Sequence, residues 1–312
     1  MLARLHTEFP DDLRVVYRHF PLVSIHDKAA LSTQAAEAAG LQGKFWEMHD
    51  LLFETQSEWS GMAVADFQTW LLENATALEL DTAQFETDLN SSDLVGLSQA
   101  AWDSGVDNGL PGTPFLVING SAYDGQLSYG NLSAIVNLVL LEKRQFTACP
   151  PLELDSTKQY LANLETEKGA IVVELYAEDA PLAVNNFVFL ARQGWYDGIT
   201  FHRVLPGFVA QTGDPSGTGY GSPGYAFDNE IVPDLVYDEP GILGMANAGP
   251  GSNGSQFFIT MAPAEQLNGG YTIFGRVVEG MEVVLALSER NPTNDFGLPP
   301  GDTLIQVTIL EK

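Results

Sequence analysis

Few side chains in this chain of 312 residues have the type and spacing for covalent chemistry. The chain has one cysteine, Cys149, whereas disulfide exchange or a cysteine-based zinc centre needs more than one thiol. His19, His26 and His49 do not have the spacing of metal ligands, and we interpret them, together with Trp46, as packing or surface residues. The sequence therefore predicts no metal site and no redox centre.

A glycine-rich run, Gly213–Gly224, is the other pattern that could take part in a reaction, since glycine-rich loops can bind phosphate groups. It contains no P-loop lysine, and no helix pattern follows it directly. We therefore interpret this run as a turn-rich loop.

The charge of the chain limits its partners. It carries 14 Lys and Arg against 41 Asp and Glu, a net charge of −27 that both halves share. Nucleic-acid binding depends on Lys and Arg that neutralise phosphates, so we do not expect a nucleic-acid partner. With 45% hydrophobic and 18% charged residues the chain can bury large cores, which argues against disorder.

The apolar runs of the chain are short. The longest, Ala134–Leu141, is interrupted by Asn137, and a membrane-spanning helix needs ~20 apolar residues. The start of the chain lacks the apolar run of a signal peptide. As given, the chain is expected to be soluble and cytoplasmic without membrane insertion, or to act in the cell envelope or outside the cytoplasm if a signal precedes Met1.

The two halves have different patterns. Residues 26–108 are typical of helices, with apolar residues three and four apart, and they lie between a predicted strand at Leu13–Phe20 and a short buried strand at Phe115–Ile118. A helix at Ser128–Arg144 completes an α/β unit. The stretch Gln145–Thr157, with a Pro-Pro pair, is the predicted linker.

From about Leu161 onwards, short strand-like runs alternate with turn residues and predict an antiparallel sheet or barrel. One helix is predicted from Pro181, a favourable first-turn residue, and another over Met281–Ser288. The predicted strands are Gly169–Tyr176, Ile199–Val204, Ile242–Ala246, Gln256–Thr260, Thr272–Val277 and Thr303–Glu311.

The first half resembles the DsbA-like branch of the thioredoxin superfamily over about residues 10–145. The resemblance rests on three segments, VVYRHFPL, AAEAAGLQGKFWEMHDLLFE and LPGTPFLVING. The resemblance implies a cis peptide bond at Thr113-Pro114. In that family the redox centre is a Cys-x-x-Cys upstream of the VVYRHF strand, where this chain has at most a remnant at Met1–Phe9. We therefore expect a truncated thioredoxin-like domain that is redox-inactive as given.

The second half resembles the cyclophilins over nearly all of residues 160–312. The resemblance rests on long motifs, among them GAIVVELYAEDAPLAVNNFVFL, FHRVLPGFVAQ, MANAGPGSNGSQFFIT and LNGGYTIFGRVVEGMEVV. The expected fold class is therefore multidomain α+β. A thioredoxin-like domain occupies residues 1–145, a linker residues 146–157, and a cyclophilin-like antiparallel β-barrel capped by two helices residues 158–312.

The resemblance implies peptidyl-prolyl cis-trans isomerisation. Rotation about an Xaa-Pro bond faces a barrier of ~18–20 kcal/mol, because the C–N bond is partly double. In the twisted state the prolyl nitrogen gains a lone pair, and a permanently charged donor binds it more strongly than in the ground state. The resemblance implies that Arg203 is this donor. No covalent bond forms or breaks, so no cofactor is expected.

The same resemblance implies that Phe208 and Gln211 act with Arg203. Without it, Phe208 and Phe258 also fit a structural core, and Arg203 a surface ion pair. His202 alternates with Arg203 and is expected on the opposite face of the strand. The implied substrate-binding residues are Val209, Ala246, Asn247, Ala248, Gln256, Phe258, Gln266, Leu267 and Tyr271.

The chain departs from the common cyclophilin pattern at three of these positions. Gln266 stands where many members have a tryptophan that binds cyclosporin, Tyr271 where many have histidine, and Val209 where methionine is common. Tyr271 keeps an aromatic wall with a polar tip, so turnover is expected. The loss of the indole predicts weak cyclosporin binding.

The leading hypothesis is an isomerase that acts on proline-containing polypeptides and assists protein folding as a chaperone, from a bacterial source. An alternative is a proline-peptide-binding chaperone or scaffold with little turnover. A thiol-disulfide oxidoreductase fusion is a third hypothesis, if the gene extends upstream with a Cys-x-x-Cys. The oligomeric state is not predicted.

Overall fold

The computed structural model describes residues 1–292 and 297–312. Contacts divide the chain into two compact units, one formed by Val15–Asp124 and the other by Met1–Arg14 with Gly125–Lys312. The predicted domain limits at residues 145 and 158 stay predictions. Within the described ranges, no helix is long and apolar enough to cross a membrane.

The chain begins with helix α1 (Leu2–Glu8), which belongs to the second unit. The first unit is mainly helical. Its elements are α2 (Ala29–Gly40), α3 (Phe45–Glu54), α4 (Gln56–Trp59), α5 (Val64–Ala77), α6 (Thr82–Leu89), α7 (Ser92–Asp107), β1 (Leu116–Ile118) and β2 (Ser121–Tyr123).

The helices of this unit follow the predicted apolar spacing. Phe67 and Leu71 of α5 and Met48 of α3 are fully buried in one core. The start of α6 is fixed by a side chain, since Asp81 accepts a hydrogen bond from the Gln84 backbone N–H at 3.0 Å and so caps this helix. The predicted helical segment is therefore confirmed.

The strand predicted at Leu13–Phe20 is wrong, since these residues form neither helix nor strand. In the described part of this unit the only sheet is the antiparallel pair β1–β2, so the segment has no ladder to join. Aromatic packing holds it instead. The ring centroid of Tyr17 lies 4.5 Å from that of His49, and Phe20 stacks on Trp102 at 5.4 Å.

The predicted strand at Phe115–Ile118 forms as β1, but it is not buried, since Val117 is 58% exposed. The expected cis peptide bond at Thr113-Pro114 is present.

The second unit is built on a curved antiparallel sheet. Its helices are α8 (Tyr129–Leu141), α9 (Pro181–Arg192) and α10 (Met281–Leu285). Its strands are β3 (Tyr160–Thr166), β4 (Gly169–Leu175), β5 (Ile199–Thr200), β6 (Arg203–Leu205), β7 (Val209–Thr212), β8 (Ile242–Met245), β9 (Phe257–Thr260), β10 (Ile273–Glu279) and β11 (Thr303–Glu311).

In the described residues these strands form one nine-stranded sheet with the order β5-β11-β3-β4-β10-β8-β9-β7-β6. The sheet has the predicted antiparallel character, and α9 begins at Pro181 as expected. The Glu230 carboxylate accepts hydrogen bonds from the Leu182 and Ala183 backbone N–H groups at 2.9 Å, which caps this helix.

Several boundaries differ from the sequence prediction. The strand predicted at Ile199–Val204 is split into β5 and β6, and β3 and β7 were not predicted. Helix α10 ends at Leu285 rather than Ser288. The Asp302 carboxylate accepts hydrogen bonds from the backbone N–H and the hydroxyl of Ser288, which fixes the chain in a non-helical path there.

Candidate active site

A row of cross-strand neighbours runs over one face of the sheet. Arg203 on β6 pairs with Gln211 on β7, and Gln211 pairs with Phe258 on β9. Phe258 pairs with Gly244 on β8, which in turn pairs with Ile273 on β10. Because side chains at paired positions share a face, the register alone brings Arg203, Gln211 and Phe258 together.

The next row faces the other way, into the main core of the unit. Its members are Val204, Ala210, Ile259 and Leu243, all fully buried. His202 lies on the core side as expected and is 1% exposed. Burial lowers the pKa of its imidazole to about 4, opposed by the nearby charge of Asp214. Neither ring nitrogen has a hydrogen-bond partner among the described residues.

Arg203 has a neutral environment. Its Nη1 donates to Gln211 Oε1 at 3.3 Å, and its Cζ lies 5.9 Å from the centroid of the Phe208 ring. Within the described ranges it forms no ion pair, unlike Arg192 and Arg276. The interpretation of Arg203 as half of a surface salt bridge is therefore wrong.

An apolar cluster, separate from the main core, lies on the same face. It contains buried Val209 and Phe258, with half-buried Phe208, Leu267 and Tyr271 packed against it. Phe258 and Tyr271 meet edge to face with ring centroids 5.8 Å apart. Half-buried Ala246 packs against the same cluster. The structure thus brings six of the expected site residues into one apolar surface beside Arg203.

Two residues under this surface were missed from the sequence. Tyr237 is fully buried, and its ring centroid lies 5.6 Å from that of Phe258. Gly244 lies beneath both rings: a Cβ at this position would be 2.2 Å from Tyr237 Oη and 2.4 Å from Phe258 Cζ. Neither has a periodic sequence signal, because Tyr237 lies in a loop and the contact of Gly244 with Phe258 depends on the pairing of β8 with β9.

Gln256 connects the site to the glycine-rich loop. Its Oε1 accepts from Gln211 Nε2 at 3.0 Å, while its Nε2 donates to the carbonyls of Gly219 and Gly221 at 2.9 and 3.0 Å. The run Gly213–Gly224 is a turn-rich loop, as predicted, since it contains neither helix nor strand. Its role in orienting Gln256 has no signal in the sequence.

Asn247 and Ala248 lie on the following loop. The Asn247 amide donates to Asn253 Oδ1 at 3.1 Å and to Asn229 Oδ1 at 3.2 Å, so its side chain shapes the loop. Ala248 is exposed, and its backbone N–H donates to Ser252 Oγ at 2.9 Å. Neither residue belongs to the apolar cluster.

Gln266 lies in a short 3₁₀ turn, Glu265–Leu267, and is exposed. The next residue, Leu267, packs against the apolar cluster. A large side chain at position 266 would therefore border this surface, and the glutamine adds no apolar wall to it.

No group of three His, Cys, Asp or Glu side chains in the described residues could hold a metal ion. Cys149 is a free, exposed cysteine, and desolvation raises the pKa of its thiol. A raised pKa disfavours the thiolate that disulfide exchange requires.

A permanently charged donor, held by a neutral amide beside an apolar surface, is compatible with binding of proline peptides without covalent chemistry. Comparison with known proteins identifies the families to which the two parts of the chain are similar. Residues 161–310 match the family model of the cyclophilin type peptidyl-prolyl cis-trans isomerases, and residues 3–137 match a thioredoxin model.

Similar proteins are named as peptidyl-prolyl cis-trans isomerases. Peptidyl-prolyl cis-trans isomerase ppi1 of Schizosaccharomyces pombe is 56% identical over 123 residues, which cover 38% of this chain and 79% of the relative. Peptidyl-prolyl cis-trans isomerase-like 1 of Homo sapiens is 50% identical over 140 residues, covering 44% and 82%. A crystal structure of a cyclophilin type isomerase from Cryptosporidium parvum is 36% identical with a TM-score of 0.45, covering 50% of this chain and 99% of that one.

The chain belongs to the cyclophilin family and is a peptidyl-prolyl cis-trans isomerase that carries an additional thioredoxin-like domain. The expected fold class, isomerase activity and two-part resemblance are confirmed. The expected bacterial source has no support in these relatives, which come from eukaryotes.

Proposed function

We propose that this isomerase assists the folding of proline-containing polypeptides and that Arg203, Phe208 and Gln211 form its catalytic centre. Arg203 donates to the prolyl nitrogen as the amide twists and the nitrogen gains its lone pair. Phe208 closes one side of the pocket, and Gln211 holds the guanidinium. The observation that carries this proposal is the uncompensated charge of Arg203, whose hydrogen-bond partner in the described residues is the neutral Gln211.

The pocket supplies the rest of the barrier reduction. One charged hydrogen bond contributes about 1.5–3 kcal/mol, or roughly one to two powers of ten in rate. We propose that Val209, Phe258, Leu267 and Tyr271 fix the proline ring while the acyl side rotates. Ala246, Asn247, Ala248, Gln256 and Gln266 would then border the groove that takes the peptide backbone.

We also propose the limits of the domains. Residues 1–145 form the thioredoxin-like domain, 146–157 the linker and 158–312 the isomerase domain. The matches at 3–137 and 161–310 support this division, whereas the compact units place Gly125–Lys312 together.

A protease-coupled assay on a Xaa-Pro peptide tests the role of Arg203. Arg203→Ala is expected to lower kcat/KM by about tenfold to a hundredfold. Arg203→Lys keeps the charge but loses the planar guanidinium, so it should recover only part of the activity. Arg276→Ala, which removes a surface ion pair with Glu174, is the matched control and should leave activity unchanged.

The same assay decides between catalysis and mere binding. If wild type and Arg203→Ala both match the uncatalysed rate while a proline peptide still binds, the protein is a binding module. If Arg203→Ala keeps full activity, another group stabilises the twisted amide.

A further inference from the structure

The segment between α8 and β3 packs against the isomerase unit. We define residues 141–154 as the connector. Leu141 is 3% exposed and belongs to the main core of this unit. The Phe146 backbone N–H donates to the Pro223 carbonyl at 2.8 Å, and its ring meets that of Phe189 at a centroid distance of 5.0 Å. The connector is therefore tied to this unit by both main chain and side chains.

The connector supports the glycine-rich loop from behind. Gln145 Nε2 donates to the Ser222 carbonyl at 3.2 Å. A Cβ on Gly224 would lie 2.2 Å from the Phe146 carbonyl oxygen, and a Cβ on Gly221 would lie 2.7 Å from Leu141 Cδ2. Glycine at these two positions therefore lets the backbone of the loop lie directly against the connector.

The other support of the loop is the buried carboxylate of Asp214, which is 0% exposed. It accepts hydrogen bonds from the backbone N–H groups of Gly219 and Gly221 at 2.7 and 3.0 Å, and from that of Ser216 at 2.8 Å. These bonds to a charged acceptor are strong. Asp214 and Leu141 both border the space that a side chain at position 221 would occupy.

The loop ends in the site. The carbonyls of Gly219 and Gly221 accept from Gln256, Gln256 accepts from Gln211, and Gln211 accepts from Arg203. The chain of contacts from Leu141 to Arg203 is thus continuous, with each hydrogen bond between 2.9 and 3.3 Å.

We propose that the connector, through Leu141 and Gln145, is a positioning element of the isomerase site that fixes the glycine-rich loop and thereby the orientation of Gln256, Gln211 and Arg203. It lies outside residues 161–310, which match the cyclophilin model. The inference depends on the proposed role of Arg203.

The test uses the full chain and measures kcat and KM separately. Leu141→Ala removes the side chain behind Gly221, and kcat is expected to fall about threefold to tenfold, the effect of one misaligned hydrogen bond. KM should change less than kcat, because the apolar cluster that would hold the proline ring is untouched, although Gln256 also borders the proposed groove. Leu141→Met, which conserves volume, should restore kcat. Thr147→Ala, an exposed connector position, is the control.

If the connector only stabilised the fold, substitutions in it would leave the orientation of Gln211 and Gln256 unchanged. The second readout is therefore the NMR signals of the Gln211 and Gln256 side-chain amides, which should shift in Leu141→Ala and in Gln145→Ala but not in Thr147→Ala. Gln145 is exposed, so its variant folds and decides the question even if Leu141→Ala does not fold. Unchanged kcat and amide signals in an active protein would overturn the inference, whereas an inactive wild type would refute the function itself.

Discussion

Gly244→Ala should disable the site without disturbing the core. The added methyl would lie on the site face of β8, 2.2 Å from Tyr237 Oη and 2.4 Å from Phe258 Cζ. Ordinary contacts of a Cβ begin near 3.4 Å, so the ring of Phe258 must move by about 1 Å. The opposite row, with Ile259 and Leu243, does not meet the methyl and should keep its packing.

The expected cost has two parts. Overpacking of this kind destabilises a protein by about 1–3 kcal/mol. A misplacement of about 1 Å in a binding pocket can lower the rate roughly a hundredfold. Gly244→Ala should therefore reduce kcat/KM by one to two powers of ten, while the protein unfolds cooperatively at a somewhat lower temperature.

The measurement is the protease-coupled assay together with thermal unfolding, with Gly96→Ala as the control. Gly96 lies in α7, and a Cβ there meets no atom within 4 Å. The double variant Gly244→Ala/Tyr237→Phe removes one of the two clashes, so it should regain part of the stability but not the activity. Full activity in folded Gly244→Ala would refute the position of Phe258 as a wall of the proline pocket.

Three further results are expected. Burial holds the pKa of His202 at about 4 against 6.5 for a free imidazole, so between these values the unfolded state binds a proton that the native state does not. The free energy of unfolding should therefore fall on the order of 3 kcal/mol as pH drops from 6.5 to 4. His202→Leu should flatten this pH dependence, as measured by urea titrations at each pH. An unchanged dependence in the variant would mean that His202 is not buried in its neutral form. Gln266→Trp should tighten cyclosporin binding about tenfold to a hundredfold by adding a large apolar contact, as measured by calorimetry, whereas nanomolar binding by the wild type would contradict the reasoning. Asp81→Ala should destabilise the helical unit by about 1 kcal/mol through loss of the α6 cap and leave isomerase activity unchanged, which denaturant unfolding and the coupled assay check together.

The fold was predictable from sequence where local pattern and tertiary packing agree. Helix α9 begins at Pro181, and β4, β8 and β11 match β-branched runs bounded by turn residues. The segment Leu13–Phe20 has the same β-branched character, yet it forms no strand because a strand exists only with a neighbour to pair with. A single sequence carries no direct information about whether that neighbour is present.

The residues of the site were predictable from sequence where they lie in long motifs shared with the cyclophilins. Arg203, Phe208, Gln211 and Phe258 come together as the resemblance implies. Tyr237 could not be found, because it lies in a loop outside any strand, and its contact with Phe258 joins residues that are distant along the chain. Spacing alone also left open an ion pair for Arg203, and only the three-dimensional neighbourhood of its guanidinium shows that it has none in the part of the chain that the structure describes.

The alternation of faces explains how the short strand β6 can present Arg203, which forms no ion pair within the described residues, and still be stable. In β6, Arg203 faces the site, while Val204 is fully buried in the core. A slip of one residue in the β6–β7 register would bury the guanidinium and expose Val204, which is strongly unfavourable. Packing of Val204 and its partner Ala210 therefore fixes the register in which Arg203 meets Gln211. The orientation of Arg203 towards Gln211 is thus set by the core-facing residues of the same sheet.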